Sequence, residues 1–247
     1  MDIKILVAMH KIGWVASDNC YLPILCGEAA GTGGFTGDNT GDNISNKNKT
    51  FCELTALYWA WKNLECDYIG LCHYRRYFVS NMMLFRNFHI YNHNDYAKCM
   101  KKCDILLPKP TMLSEGSVYN NYKYRHNIRD LDMTRDIILE LYPEYEPSFN
   151  KIMQSNMLYP LNMFCMKKSN FNDYADWLFS ILFELEKRID IDSYDNYQKR
   201  VFGFLAERLF NVWIEHNKLS VENAAVSQIK DDTFRHRLKT FCWEKLY

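Results

Sequence analysis

Apolar positions along the chain follow two periods. Ile3, Ile5, Leu6, Val7 and Met9 crowd into a short run over residues 3–9 that predicts a buried strand. The same reading predicts strands over residues 67–73, 104–107 and 161–166, the second stopped by Pro108 and Pro110. Helical spacing appears between them. Phe51, Leu54, Leu57, Tyr58 and Trp61 share one face of a predicted helix. Residues 95–102 predict a short helix, and residues 117–155 are mostly helical with interruptions at Pro143 and Pro147. Two long amphipathic helices follow. One covers residues 171–188, with Leu178, Ile181, Leu182 and Leu185 inward. The other covers 198–215, with Val201, Phe204, Leu205, Leu209 and Val212 inward. Strands alternating with helices predict an α/β fold: a mostly parallel central sheet flanked by helices, and a helical C-terminal half. No repeat, low-complexity tract or linker divides it, so one domain over residues 1–247 is expected.

Residues 27–50 break the pattern. Gly27, Gly31, Gly33, Gly34, Gly37 and Gly41 alternate with Asp38, Asn39, Asp42, Asn43 and Asn46. Glycine and Asx residues tolerate positive φ and make local side-chain hydrogen bonds, so this is a long loop. A loop of this length in a compact domain is usually functional.

Composition narrows the class. With 48% hydrophobic and 15% aromatic residues in 247, the chain can bury a large core and is not disordered. Thirty basic residues balance thirty acidic ones, which argues against a sequence-blind nucleic-acid binder. The first apolar run is too short for a secretory core, and no later run reaches membrane-spanning length. A cytoplasmic protein is expected. The nine cysteines have no paired spacing and read as reduced, mostly buried thiols. Cys99 and Cys103, with His89 and His93 nearby, make only a weak zinc candidate.

No dinucleotide fingerprint, P-loop or nucleophile elbow is present. The chemistry-bearing residues gather at predicted strand ends, where open α/β sheets bind ligands. His73-Tyr74-Arg75-Arg76 follows the second strand, and two adjacent arginines there can neutralise a diphosphate. A salt-bridged pair beside core aromatics is the plainer alternative. His10 and Lys11 follow the first strand and can meet a phosphate or a base edge, or simply be solvated. Asp38, Asp42 and Asn43 can grip a ribose or nucleobase, or serve the turns of their own loop. Glu207 and Arg208 sit on the last helix, where such a pair is ordinarily at the surface.

Three ordered segments carry a resemblance. They are Gly37-Asp38-Asn39-Thr40-Gly41-Asp42-Asn43, Phe51-Cys52-Glu53-Leu54-Thr55-Ala56-Leu57-Tyr58-Trp59 and Tyr68-Ile69-Gly70-Leu71-Cys72-His73-Tyr74-Arg75-Arg76-Tyr77-Phe78. Together with Ile105-Leu106-Leu107-Pro108-Lys109-Pro110, Asn162-Met163-Phe164 and the stretch from Arg200 to Leu209, they resemble a bacterial family catalogued as a domain of unknown function. Its members sit among capsular polysaccharide, exopolysaccharide and O-antigen biosynthesis proteins, and some are assigned as β-galactofuranosyltransferases.

The resemblance implies a GT-A-like fold and an inverting sugar transfer from a UDP-sugar donor. The acceptor it implies is a lipid-linked glycan or oligosaccharide. Where such enzymes place an Asp-x-Asp that holds a divalent metal, this chain has His73-Tyr74-Arg75-Arg76. Either the arginines replace part of the metal's charge, or manganese or magnesium is held by Asp38, Asp42 or Asp104 with His73. The acceptor proton needs a base. Glu207 is favoured, with Asp130, Asp132 and Glu115 as the other candidates. Tyr122, His126 and Asp130 are spaced for one helical face and, with Arg208, are candidates for acceptor contact. Residues 231–247 form a basic, aromatic tail that either docks on the domain or rests on the inner face of the cell membrane. A non-catalytic carbohydrate-binding or assembly protein is the competing function.

Overall fold

The computed structural model describes residues 1–82, 87–229 and 239–240. Its strands, in chain order, are β1 (Ile3–Met9), β2 (Tyr21–Leu25), β3 (Thr36–Gly37), β4 (Tyr68–His73), β5 (Arg76–Met82), β6 (Asn87–Ile90), β7 (Ile105–Pro108), β8 (Thr111–Met112), β9 (Met157–Leu158), β10 (Phe164–Lys167), β11 (Val221–Gln228) and β12 (Lys239–Thr240). The helices are α1 (Asn48–Phe51), α2 (Leu54–Asn63), α3 (His93–Met100), α4 (Val118–Arg125), α5 (Ile128–Leu141), α6 (Glu146–Gln154), α7 (Lys168–Arg188) and α8 (Val201–Asn217).

One sheet runs in the order β3-β2-β1-β4-β10-β7-β11-β5-β6, with β12 on β11; β8 and β9 pair separately. β1, β2, β3 and β4 are parallel to their neighbours in that series, and β11 is parallel to β7. β10 runs antiparallel to both β4 and β7, and β5 antiparallel to β4, β6 and β11. The sheet is therefore mixed, which corrects the mostly parallel expectation. Its physical cause is local. Only Tyr74 and Arg75 separate β4 from β5, and so short a link can join only antiparallel strands. A cluster read as a strand end is thus a hairpin turn.

β1 is buried on both faces from Ile5 to Met9, which explains its run of apolar residues there. Leu6 and Ala8 face a core built with α2, α7 and α8, whereas Ile5, Val7 and Met9 face a second core with Tyr96 and Met100 of α3. Gly70 lets β10 approach β4: a Cβ there would lie 2.5 Å from the Phe164 carbonyl oxygen. Pro147 does not interrupt a helix but occupies the first turn of α6, where its missing N–H costs nothing.

The helices expected over 171–188 and 198–215 are α7 and α8, the latter preceded by a 3-10 turn over Gln198–Arg200. No helix of the described residues is long and apolar enough to cross a membrane. The tail over residues 231–247 lies outside the described residues, apart from the Lys239–Thr240 strand β12.

Candidate functional site

The parallel strands end along one edge of the sheet, and their following residues meet there. His10 follows β1, Gly27 follows β2, Asp38 follows β3, and His73 closes β4. Antiparallel β10 starts at the same edge, just after Leu161 and Asn162.

The turn after β4 is tightly held. The Tyr74 ring is buried and meets the His10 ring edge-on at 5.2 Å, with its hydroxyl 3.1 Å from His10 Nε2. The Arg75 guanidinium lies 5.0 Å from the Tyr74 ring centroid, a cation–π contact. His10 and Lys11 are exposed at the mouth of this edge. Arg75 lies on the turn and Arg76 opens β5.

Asp38 has another task. Its carboxylate is fully buried and accepts from the Gly27 N–H at 3.1 Å, the Thr55 hydroxyl at 2.5 Å and the Ser45 hydroxyl. It is the hub that folds the glycine-rich loop onto α2, and nothing remains exposed to meet a ribose. Gly27 adopts φ +60°, and a Cβ there would strike Asn48. Asp42 and Asn43 are also engaged in loop chemistry. Asp42 accepts from Tyr58 at 3.2 Å, and Asn43 bridges the Gly41 carbonyl and the Ser45 N–H. The turn alternative describes Asn43, whereas Asp38 and Asp42 reach beyond the loop to Thr55 and Tyr58 of α2.

The centre of the edge is built from residues that sequence reasoning did not select: Glu53, Asn162 and Arg200. Asn162 donates to Glu53 Oε1 at 2.9 Å, and its own Oδ1 is buried without a hydrogen-bond partner. Such an orphaned acceptor is rare in folded interiors. Glu53 lies close enough to His73 and Arg200 for its charge to act on both. Burial holds the His73 pKa below its ordinary value; Glu53 opposes this, Arg76 and Arg200 reinforce it, and a hydrogen bond to the Leu161 main chain raises it. Arg200 Nε donates to Cys52 Sγ at 3.2 Å, and burial pushes the Cys52 thiol up to about 11.

Backbone strain collects at the same place. The described non-glycine residues with positive φ are Cys52 (51°), Leu161 (82°), Asn162 (51°) and Lys218 (51°). Lys218 is the C-cap of α8. Of the other three, Cys52 precedes Glu53, Asn162 bonds it, and Leu161 precedes Asn162 with its N–H on Glu207. Side chains in left-handed backbone cost on the order of 1–3 kcal/mol each and persist where surrounding structure imposes them, often at functional sites.

Helix α8 imposes part of this strain. Gly203, Glu207 and Asn211 are spaced four apart and so share one face. The Gly203 carbonyl accepts from Asn162 at 3.5 Å, Glu207 Oε1 from the Leu161 N–H at 2.6 Å, and Asn211 grips both the N–H and the carbonyl of Tyr159. Glu207 Oε2 accepts from Arg208 at 2.6 Å. The Glu207–Arg208 pair is not at the surface: Arg208 is 2% exposed, and it also reaches Asn121 at 2.9 Å.

The remaining candidates lie further along. Tyr122 is fully buried, so neither it nor Arg208 presents a surface to an acceptor. Tyr122, His126 and Asp130 do not share one helix, because the chain breaks between α4 and α5 and His126 is extended. Asp130 is buried and accepts from the Tyr194 hydroxyl at 2.8 Å; burial raises its pKa. Asp132 is exposed, bonded to Tyr119 at 3.0 Å, and Glu115 is tied to Asn121 and Arg125. Two surface depressions of about 470 Å³ lie on helical faces elsewhere, one among Trp61, Tyr145 and Trp177, the other among Tyr119, Asp132 and Phe149.

The metal set suggested by the sequence does not assemble. Asp104 precedes β7, at the opposite edge from His73, and bonds Ser220. The Asp38 carboxylate is already filled. Among the described residues no cluster of three or more His, Cys, Asp or Glu side chains is arranged around a cation position. His89 bonds Asp95 at 2.9 Å and His93 the Met1 carbonyl, so the zinc candidate's histidines are engaged separately.

The model of a family described as "Domain of unknown function (DUF4422)" matches residues 4–218. The chain belongs to this family. A solved structure described as the apo form of WbbM, a bifunctional glycosyltransferase, is 34% identical over 97% of this chain, with a TM-score of 0.85. The chain spans 47% of that structure's length. No curated protein matches the chain. The family match covers the hairpin, the Asp38 hub, Glu53, the strained Leu161–Asn162 pair and α8, so the whole constellation lies within it.

Proposed function

We propose that this chain is a glycosyltransferase that moves a sugar, best assigned as galactofuranose, from a UDP-sugar to a growing surface polysaccharide or lipid-linked glycan, with inversion. The observation that carries the reading is the match along nearly the whole chain to half of a bifunctional glycosyltransferase. The convergence of strand ends, strained backbone and charged side chains at one sheet edge supports a GT-A-like donor site there.

In this reading Arg75 and Arg76 take up charge developing on the UDP leaving group as its bond to the anomeric carbon breaks. The acceptor hydroxyl attacks the opposite face of that carbon and surrenders its proton to a carboxylate. Glu53 is the base we assign. It lies beside His73 and Arg200, and Asn162 orients one of its oxygens. Glu207, favoured from the sequence, has both oxygens committed to Leu161 and Arg208, so we assign it to positioning.

Ligand-observed NMR with UDP-galactofuranose, UDP-galactopyranose and other nucleotide sugars, with and without EDTA, tests the donor site. Selective UDP-sugar binding that survives EDTA and is lost in Arg75→Ala/Arg76→Ala is expected. Binding abolished by EDTA and restored by manganese would transfer the charge-neutralising role to a metal. No nucleotide-sugar binding at all would overturn the transferase and favour a glycan-binding protein.

A further inference from the structure

Tyr197 leaves 51% of its surface in solvent, yet its ring is the exposed member of a three-ring cluster with His126 and Phe204. His126 lies nearly parallel to it at 5.9 Å and nearly parallel to Phe204 at 4.1 Å. Tyr197 and Phe204 are themselves 5.0 Å apart. The shelf is fixed from beneath. The Asp195 carboxylate accepts the N–H groups of Tyr197 at 2.9 Å and Gln198 at 2.7 Å, and the Gln198 side chain bridges His126 Nδ1 and the Arg125 carbonyl. Burial, with help from nearby arginines, lowers the His126 pKa to about 4, so its ring is neutral at pH 7 and stacks as an aromatic.

The shelf is continuous with the site. Arg200 lies 5.4 Å from the Phe204 ring and reaches Cys52, the neighbour of Glu53. Arg200 thus links the aromatic cluster to the residue beside Glu53. The surface combines an apolar, rigid face with a polar rim. A sugar ring has the matching character: a C–H face that packs on an aromatic ring and a periphery of hydroxyls that hydrogen-bond.

We propose that Tyr197, backed by His126 and Phe204, is a saccharide-stacking subsite that holds the acceptor glycan. The inference rests on the glycosyltransferase reading for its role, but its binding test does not.

The test titrates methyl β-galactopyranoside and a galactose disaccharide into the wild type, Tyr197→Phe and Tyr197→Ala by saturation-transfer NMR, with UDP titrated in parallel. Tyr197 is half exposed, so both variants should fold, and a thermal melt of each confirms this before binding is compared. The disaccharide is expected to bind the wild type better than the monosaccharide. Tyr197→Ala should weaken it about tenfold, Tyr197→Phe should keep it, and UDP affinity should not change. The inference is overturned if the wild type gives no saturation transfer to either sugar, or if Tyr197→Ala binds them as well as the wild type. A parallel loss of UDP affinity would make Tyr197 a nucleobase platform and also overturn it. The two proposals fail separately. Nucleotide sugars binding without saccharide would remove the shelf alone, and Tyr197-dependent saccharide binding without nucleotide would remove the transferase alone.

Discussion

Asp38 shows how a residue that looks like ligand chemistry can be consumed by the fold. Three donors from three parts of the chain, the Gly27 N–H and the Ser45 and Thr55 hydroxyls, converge on one buried carboxylate. Asp38→Ala should cost about 2–4 kcal/mol, the scale for opening a buried charge-assisted network. Urea unfolding measures this, and a midpoint within error of the wild type would refute the hub. Glu53 is the opposite case. Its motif was visible, but nothing in its spacing distinguished it from an acid near the start of a helix. Its neighbours Cys52, Leu161 and Asn162 give it meaning, because their strained backbone is tolerated only where packing and hydrogen bonds enforce it.

Among the elements, the β4–β5 hairpin and α8 matter most to the site. The hairpin places Arg75 at a turn and Arg76 opposite His73 in register, so one short connection sets the positions of both cations. Helix α8 presents Gly203, Glu207 and Asn211 on one face and clamps the segment from Tyr159 to Asn162. A clamp and a base respond differently to amide substitution. Glutamine at position 207 still offers an oxygen to the Leu161 N–H, whereas glutamine at position 53 cannot take a proton. In a transfer assay Glu207→Gln should stay within about tenfold of the wild type and Glu53→Gln should fall by about a hundredfold or more. The reverse order would return the base to Glu207.

At the scale of the molecule, two half-buried histidines with lowered pKa values make stability depend on pH. The His126 pKa is lowered to about 4, and that of His73 is lowered in the same direction. In the unfolded chain both titrate near 6.5. Their contribution is complete above about pH 6.5 and is lost as pH falls toward the folded values, because the unfolded state then binds more protons. Asp130 has the opposite sign: its raised pKa favours folding as pH falls, though nearer the carboxylate range. The urea midpoint should therefore drop between pH 7 and 5. His126→Phe, which keeps the stacked ring, should flatten that drop. An unchanged slope would show that His126 does not titrate on unfolding in this window.

Much of the fold was legible in the sequence because it depends on local periodicity. The strand over Ile3–Met9 and the helices α7 and α8 follow from apolar spacing that any burial arrangement must respect. Strand β11 was not legible: Val221–Gln228 is mostly small and polar, and only its partners β7 and β5 make it a strand. The antiparallel direction of β10 was equally hidden, since direction depends on where a strand lands in the sheet. Residues 73–76, read as the end of a strand, form a hairpin turn that opens β5 at Arg76, and that geometry came only with the pairing. Glu53 is more than a hundred residues from Asn162 and Arg200 in the sequence, and only tertiary packing makes the three neighbours. Sequence determines what each segment can bury along its own length. Which polar groups are left facing one another depends on how segments distant in the chain pack together, and that is decided only in three dimensions.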